Sequence, residues 1–171
     1  MNKAYLPVDN SYLEFQQVKN FIEHNQQLAI SPEAEGLITT CRNFLDKKIE
    51  GNDDLFYGIN TGFGFLQNVK IDKHQLEELQ SNLIKSHACG LGEEVPEKIV
   101  KLMLLLKIKS LSYGHSGVQL KTVVRLIDMY NNNVLPVIYT QGSLGASGDL
   151  APLSHLSLPL IGLDDVYLDG K

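Results

Sequence analysis

The chain has 171 residues, of which 43% are hydrophobic, and it carries a formal net charge of −5 at pH 7. This hydrophobic content is enough for a sizeable core, so residues 1–171 are expected to form a single unit. The acidic balance argues against a nucleic-acid partner, because surfaces that bind phosphate backbones normally show a basic patch.

Apolar side chains recur at helical spacing along most of the chain, which predicts a mainly α fold with a few short strands. The predicted helices cover residues 11–25, 32–49, 73–88, 96–113, 118–130 and 150–160. Extended segments are predicted at residues 55–60, at 134–139 and at 166–171, where VYLDGK begins a hairpin whose second strand would follow. We therefore expect a helical bundle, and the unreturned hairpin indicates a piece of a longer chain.

Several helix ends carry recognisable signals. Ser31 is a predicted N-cap and Pro32 a first-turn proline for the second helix. Residues 72–75, DKHQ, have the pattern of a capping box before the third helix, and Asp149 is a predicted cap for the last one. Residues 99–111 are apolar on nearly all faces, so that helix is expected at the centre of the bundle.

The same apolar stretch and the two cysteines exclude other classes of protein. Lys101, Lys107 and Lys109 interrupt the stretch, which is too short and too charged for a membrane span. Cys41 and Cys89 lie far apart, outside any CxxC or Cys/His cluster, and no histidine pair has metal-ligand spacing. These features predict a cytoplasmic protein with reduced thiols, no bound metal and no membrane association.

The loop before the last helix, GSLGASGDL at 142–150, is rich in small residues. Neither of its serines has the flanking glycines of a GxSxG hydrolase elbow, and no phosphate-loop pattern is present. A third chemistry uses the backbone itself. Attack of the Gly148 nitrogen on the Ala146 carbonyl carbon would close a five-membered ring with loss of one water, and loss of a second water from Ser147 would leave an exocyclic methylene. Small residues permit that close approach.

The segment ASGDLAPLSHLSLPLIG at 146–162 resembles the signature of the aromatic amino acid ammonia-lyase family. FYGINTGFGFL at 56–66, NLIKSHACGLG at 82–92 and LLLKIKSLSYGHSGV at 104–118 are similar to further family motifs in the same order. The resemblance implies the amino-terminal part of the ammonia-lyase (fumarase/aspartase-like) fold, a homotetramer in the full-length form, and active sites built from several subunits. Later polar positions of the family's site are absent, so little or no activity is expected of the 171 residues alone.

The resemblance also implies the cofactor and the catalytic base. In the family an Ala-Ser-Gly triad forms the methylidene-imidazolone group (MIO) autocatalytically, so Ala146, Ser147 and Gly148 are predicted to form it with no external cofactor. Asp149 would polarise the ring-closing groups, and the helix N-terminus that follows would stabilise negative charge. Tyr57 is implied as the base, on a glycine-containing loop that folds over a small ligand.

Substrate-binding roles are implied for His87, Asn60, Gly64 and Leu150. His87 belongs to a Ser86-His87 pair that resembles the family members acting on histidine, although some bacterial tyrosine enzymes share it. GDLAPLSH at 148–155 and Asn60 also favour histidine. L-Histidine is therefore the predicted substrate, eliminated to trans-urocanate and ammonia. A tyrosine or phenylalanine ammonia-lyase, an aminomutase and an inactive helical module stay open as alternatives.

Overall fold

The structure is a computed structural model that describes residues 5–24, 26–50, 54–143 and 150–171. Its helices are α1 (Phe15–Glu23), α2 (Pro32–Ile49), α3 (Leu76–His87), α4 (Glu97–Ser112), α5 (Leu120–Asn131) and α6 (Leu150–Ser157). Its strands are β1 (Tyr5–Val8), β2 (Gln27–Ile30), β3 (Leu91–Glu94), β4 (Val134–Pro136), β5 (Tyr139–Gln141) and β6 (Val166–Leu168). Short 3₁₀ helices lie at Gly64–Leu66, Lys73–Gln75 and Leu158–Ile161. The predicted mainly α fold with a few short strands is confirmed.

The strands pair two by two, and the first pair was not predicted. β1 and β2 are parallel, with Tyr5 opposite Gln27. The Asn131 side chain completes the pair from the end of α5: its amide nitrogen donates to the Leu28 carbonyl, and its amide oxygen accepts from the Leu28 N–H, both at 2.8 Å. The two strands were not predicted because each has only four residues, which is too short for a clear alternating pattern. The side chain that stabilises them is about a hundred residues away in the sequence.

The first three helices begin near their predicted positions, and one of the two caps predicted for them is present. The Ser31 hydroxyl oxygen accepts the Ala34 N–H at 3.1 Å, as an N-cap should. α1 starts after Glu14 with a capping box to Gln17, so it is shorter than predicted. Residues 72–75 do not form the predicted capping box: Asp72 makes no side-chain cap bond, and a 3₁₀ turn leads into α3.

Residues 54–71, which we call the Tyr57 turn, correct one prediction. The expected strand at 55–60 is a hydrogen-bonded turn, with the Ile59 and Asn60 N–H groups both donating to the Phe56 carbonyl. An isolated bridge between Thr61 and Lys70 closes the segment. The alternation of large side chains resembled a strand, but the local hydrogen bonds of the turn prevailed.

α4 lies at the centre, as its sequence predicts. It packs against α1, α2 and α5, and its buried apolar side chains are Val100, Leu104, Leu105, Ile108 and Leu111. The helix is not covered on every face, since Ile99 and Leu106 are exposed. Lys109 is buried on the covered face, where its ammonium donates to the Asp9 carbonyl at 2.6 Å and to the Asp9 carboxylate at 3.1 Å.

The second half of the chain contains two pairs of strands. β5 pairs with β3, and β4 pairs with β6, in both cases antiparallel. The predicted turn at 168–171 is present: Leu168 and Lys171 exchange backbone hydrogen bonds, and Asp169 and Gly170 have the positive φ angles of a primed hairpin turn. Within the described residues, β6 pairs with β4.

Candidate active site

Tyr57 stands on the surface of the Tyr57 turn. Its side chain is 63% exposed, its ring meets the Phe63 ring edge-on with 6.0 Å between centroids, and its hydroxyl oxygen accepts the Gly64 N–H at 3.4 Å. Gly64 has a φ of +56°, a conformation that suits glycine. The phenol is therefore accessible and lightly held.

Asn60 holds the Tyr57 turn from inside. The side chain is only 4% exposed; its amide oxygen accepts the Phe56 N–H at 2.7 Å, and its amide nitrogen donates to the Asp54 carbonyl at 2.9 Å. The Asn60 carbonyl also accepts the Ile71 N–H at 2.9 Å. The oxygen and the nitrogen of the Asn60 amide therefore both bond to backbone groups of the Tyr57 turn.

His87 ends α3 and begins what we call the His87 turn, residues 86–92. Its Nδ1 lies 2.8 Å from the Leu83 carbonyl oxygen and 3.1 Å from the Ser86 hydroxyl. A carbonyl oxygen can only accept, so Nδ1 carries the proton, and in the neutral ring Nε2 presents a lone pair. The helix end thus fixes the tautomer of a half-buried imidazole.

The His87 turn lies against the amino-terminal flank of the small-residue loop. Leu91 pairs with Gln141 in the β3–β5 ladder. Gly90 and Gly142 pack backbone to backbone: a Cβ added to Gly142, whose φ is +122°, would come 3.0 Å from the Gly90 Cα. Only residues without side chains allow this approach.

The predicted MIO-forming residues Ala146, Ser147 and Gly148, and the neighbouring Asp149, lie outside the described residues. Both flanks of their segment are described. Gln141 to Ser143 lead in from β5, and Leu150, half exposed, is the first residue of α6. Since α6 packs against α3, both flanks lie close to the helix that ends at His87.

Sequence reasoning did not assign His155 a role in the site. It is 6% exposed on α6. Its Nε2 accepts the Gly90 N–H at 2.9 Å, its Nδ1 lies 3.1 Å from the Asp164 carboxylate, and the Tyr139 ring contacts it edge-on. Buried histidines are common in cores, so the available signal was only its presence in the motif that contains the small residues.

Of the predicted site residues, His87 and Leu150 lie on α3 and α6, two helices that pack against each other. Tyr57, Asn60 and Gly64 lie together in the Tyr57 turn. No hydrogen bond or ring contact links Tyr57 to His87 within the described residues.

The described parts of the chain show two further absences. None of their helices is both long and apolar enough to cross a membrane. In the same residues, no group of three or more histidine, cysteine, aspartate or glutamate side chains is placed to hold a metal ion.

Comparisons with known proteins agree with this architecture. A family model described as aromatic amino acid lyase matches residues 13–171. A histidine ammonia-lyase of Deinococcus radiodurans is 48% identical over 159 residues, which are 93% of this chain and 30% of that protein. The crystal structure of histidine ammonia-lyase from Trypanosoma cruzi is 37% identical with a TM-score of 0.85, over 96% of this chain and 33% of that one.

A third relative is named for a different activity. The ergothioneine-degrading ergothionase of Treponema denticola is 29% identical with a TM-score of 0.91, over 98% of this chain and 33% of that chain. Similarity of fold therefore does not by itself select a substrate. The chain spans about a third of the length of these relatives.

The family model covers nearly the whole chain, from α1 to the turn after β6. The motifs in the Tyr57 turn, at the end of α3, in α4 and around α6 occur in one helical architecture that superposes on solved members of this fold. The chain belongs to the aromatic amino acid lyase family.

Proposed function

We propose that the complete polypeptide carrying this sequence is a histidine ammonia-lyase, which eliminates ammonia from L-histidine to give trans-urocanate without hydrolysis. The choice of L-histidine as the substrate rests on the fixed tautomer of His87. With Nδ1–H bound to the Leu83 carbonyl, Nε2 is an acceptor that complements an imidazole N–H of the substrate. The relatives named histidine ammonia-lyases support the same choice.

The residues of the small-residue loop fit an MIO group. Ala146, Ser147 and Gly148 are the residue types that the ring closure requires, and the glycine-to-glycine contact at Gly142 brings the loop's flank against the His87 turn. The group would supply an electrophile to the substrate. Asp149 would polarise the residues that close the ring, and no external cofactor is needed.

Tyr57 is the proposed base that removes the β-proton of the substrate. Its hydroxyl is exposed, and the Gly64 N–H orients its oxygen. A general base must come within hydrogen-bond distance of the proton it takes, so the turn has to bring this oxygen to the bound substrate. Gly64 contributes this N–H, and Leu150 at the start of α6 offers an exposed apolar side chain for the substrate.

Asn60 contributes to substrate binding through the turn. Because its amide oxygen and nitrogen are both used by Phe56 and Asp54, it shapes the segment that carries Tyr57.

The remaining proposals concern the assembly. We place the polypeptide in the cytoplasm as a homotetramer with sites built from several subunits, and residues 1–171 as one unit within it. Since the chain spans about a third of its relatives, we expect it to have little or no activity by itself.

The test is to incubate the complete polypeptide separately with L-histidine, L-tyrosine and L-phenylalanine. Urocanate and ammonia from L-histidine support the proposal. Coumarate, cinnamate or a β-amino acid as the main product would assign a sibling activity and overturn the substrate choice.

The matched variant for this test is Ser147→Ala, which should abolish turnover while leaving folding nearly unchanged. An intact mass that lacks two waters in the wild type, and not in the variant, would report ring closure independently of turnover. An unmodified and inactive wild-type polypeptide would support the helical-module alternative instead.

A further inference from the structure

Three elements converge on the His155 imidazole. It projects from α6, just beyond the loop that contains Ala146 to Gly148, and its two nitrogens face different segments. Nε2 meets the backbone of the His87 turn, and Nδ1 meets Asp164, which follows the last turn of the 3₁₀ helix after α6. The ring is nearly inaccessible to solvent.

The two contacts define the protonation state of the ring. The Gly90 N–H can only donate, so Nε2 is unprotonated, and Nδ1 carries the proton that the Asp164 carboxylate accepts. This arrangement uses both nitrogens of a neutral imidazole. It leaves none for a substrate, so a direct catalytic role is excluded by geometry.

The packing around this contact is tight. A Cβ added to Gly90 would lie 2.9 Å from His155 Nε2 and 3.1 Å from the Tyr139 Cβ. Tyr139 belongs to β5, which leads into the loop, and β5 pairs with the strand that follows Gly90. The His87 turn is therefore attached to both flanks of the loop: by the β3–β5 ladder on one side and by the His155–Gly90 bond on the other.

We propose that His155 is a positioning residue of the lyase site: its bond to the Gly90 N–H, oriented by Asp164, holds the His87 turn at a fixed place relative to β5 and α6, the two segments that flank the small-residue loop. This inference rests on the proposed function, because it assigns the bond a role in aligning substrate recognition with the electrophile. Misplacement of reacting groups by about 1 Å can cost about a hundredfold in rate, so one hydrogen bond at this junction can have a large effect.

Two substitutions separate the contacts of His155. His155→Gln can place an amide oxygen near the position of Nε2 and keep the acceptor for Gly90. His155→Asn can place a group near Nδ1, facing Asp164, but leaves the Gly90 N–H without an acceptor. His115→Asn, in an exposed turn, is the matched control for loss of an imidazole elsewhere.

The experiment measures kcat and KM for L-histidine in the complete polypeptide, per molecule containing the electrophile as judged by near-ultraviolet absorbance. We expect His155→Asn to raise KM and lower kcat, with a fall in kcat/KM of about a hundredfold. His155→Gln should remain within about tenfold of the wild type, and His115→Asn should be unchanged. Amide hydrogen exchange at Gly90 should become faster in His155→Asn and not in His155→Gln.

Each outcome decides between positioning and simple stabilisation. If His155→Asn has wild-type kcat and KM per electrophile-containing molecule and only a lower melting temperature, the residue is structural and the proposal is wrong. Equal losses in the glutamine and asparagine variants would also overturn it. A wild-type polypeptide that consumes another amino acid overturns the histidine assignment alone, and the variants are then compared on that substrate. A wild type that consumes none overturns both proposals.

Discussion

The Tyr57 turn and the His87 turn carry the two side chains proposed to act on the β-carbon and on the imidazole of the substrate, yet the two turns are held differently. The His87 turn is joined to β5 by a ladder and to α6 by the His155 bond, with glycines packed backbone to backbone. The Tyr57 turn is closed mainly on itself, through Asn60 and the bridge from Thr61 to Lys70. The Tyr57 hydroxyl accepts a long hydrogen bond from the Gly64 N–H.

This difference fits a division of roles. A recognition group gains specificity from a fixed position, because a rigid acceptor discriminates between substrates that do and do not supply a donor. A base that must reach a β-proton and let the product leave gains from a segment that can close and reopen. Glycines occur in both turns but for opposite reasons: Gly90 permits close packing, whereas Gly64 supplies a positive φ in an exposed loop.

The largest effect is expected for Tyr57→Phe, which should lower the rate of catalysis without changing the stability of the protein. Tyr57→Phe removes only the hydroxyl, so kcat should fall by about a hundredfold to ten-thousandfold, the range typical of a lost general base. The side chain is exposed and its hydroxyl bond is long, so the free energy of unfolding should change by less than about 0.5 kcal/mol. Steady-state kinetics of the complete polypeptide measure kcat, and denaturant unfolding measures the free energy of unfolding. A variant with wild-type kcat would remove Tyr57 from the mechanism.

The next effect tests how rigid the His87 turn is. Gly90→Ala places a methyl group against His155 and the Tyr139 Cβ, which should cost about 1–3 kcal/mol of the free energy of unfolding. Gly36→Ala is the matched control, because Gly36 lies inside α2 and a Cβ there meets nothing within 4 Å. It should stabilise by about 0.5–1 kcal/mol. Equal effects of the two variants would show that the junction adapts easily, contrary to the comparison drawn above.

The smallest effect asks whether Asn60 acts through the turn or on the substrate. Asn60→Ala leaves the Phe56 N–H without its acceptor, at a cost of about 1–2 kcal/mol. If the amide only shapes the turn, kcat falls through a displaced Tyr57 while KM stays near that of the wild type. A rise in KM at constant kcat would instead assign Asn60 a direct contact with the substrate.

The helices were predictable from sequence, and the turns less so. α2 and α4 combine apolar spacing with a cap or proline at the start, and both begin within one residue of their predicted positions. Residues 55–60 misled the prediction because the buried Asn60 amide bonds the backbone on both sides, which composition does not reveal. β1 and β2 were missed because Asn131 completes them from a distant helix.

The family and the order of the helices could be inferred from the sequence alone, because four motifs in fixed order and apolar periodicity are local properties of the chain. It also identified Tyr57, His87 and the Ala146–Gly148 triad as candidates. The folded structure was needed to show which ring nitrogen of His87 carries the proton and that the Asn60 amide bonds to the backbone of a turn. It alone joined His155 to Gly90, 65 positions apart. Such contacts depend on which atoms folding brings within about 3 Å, and sequence spacing does not encode that distance.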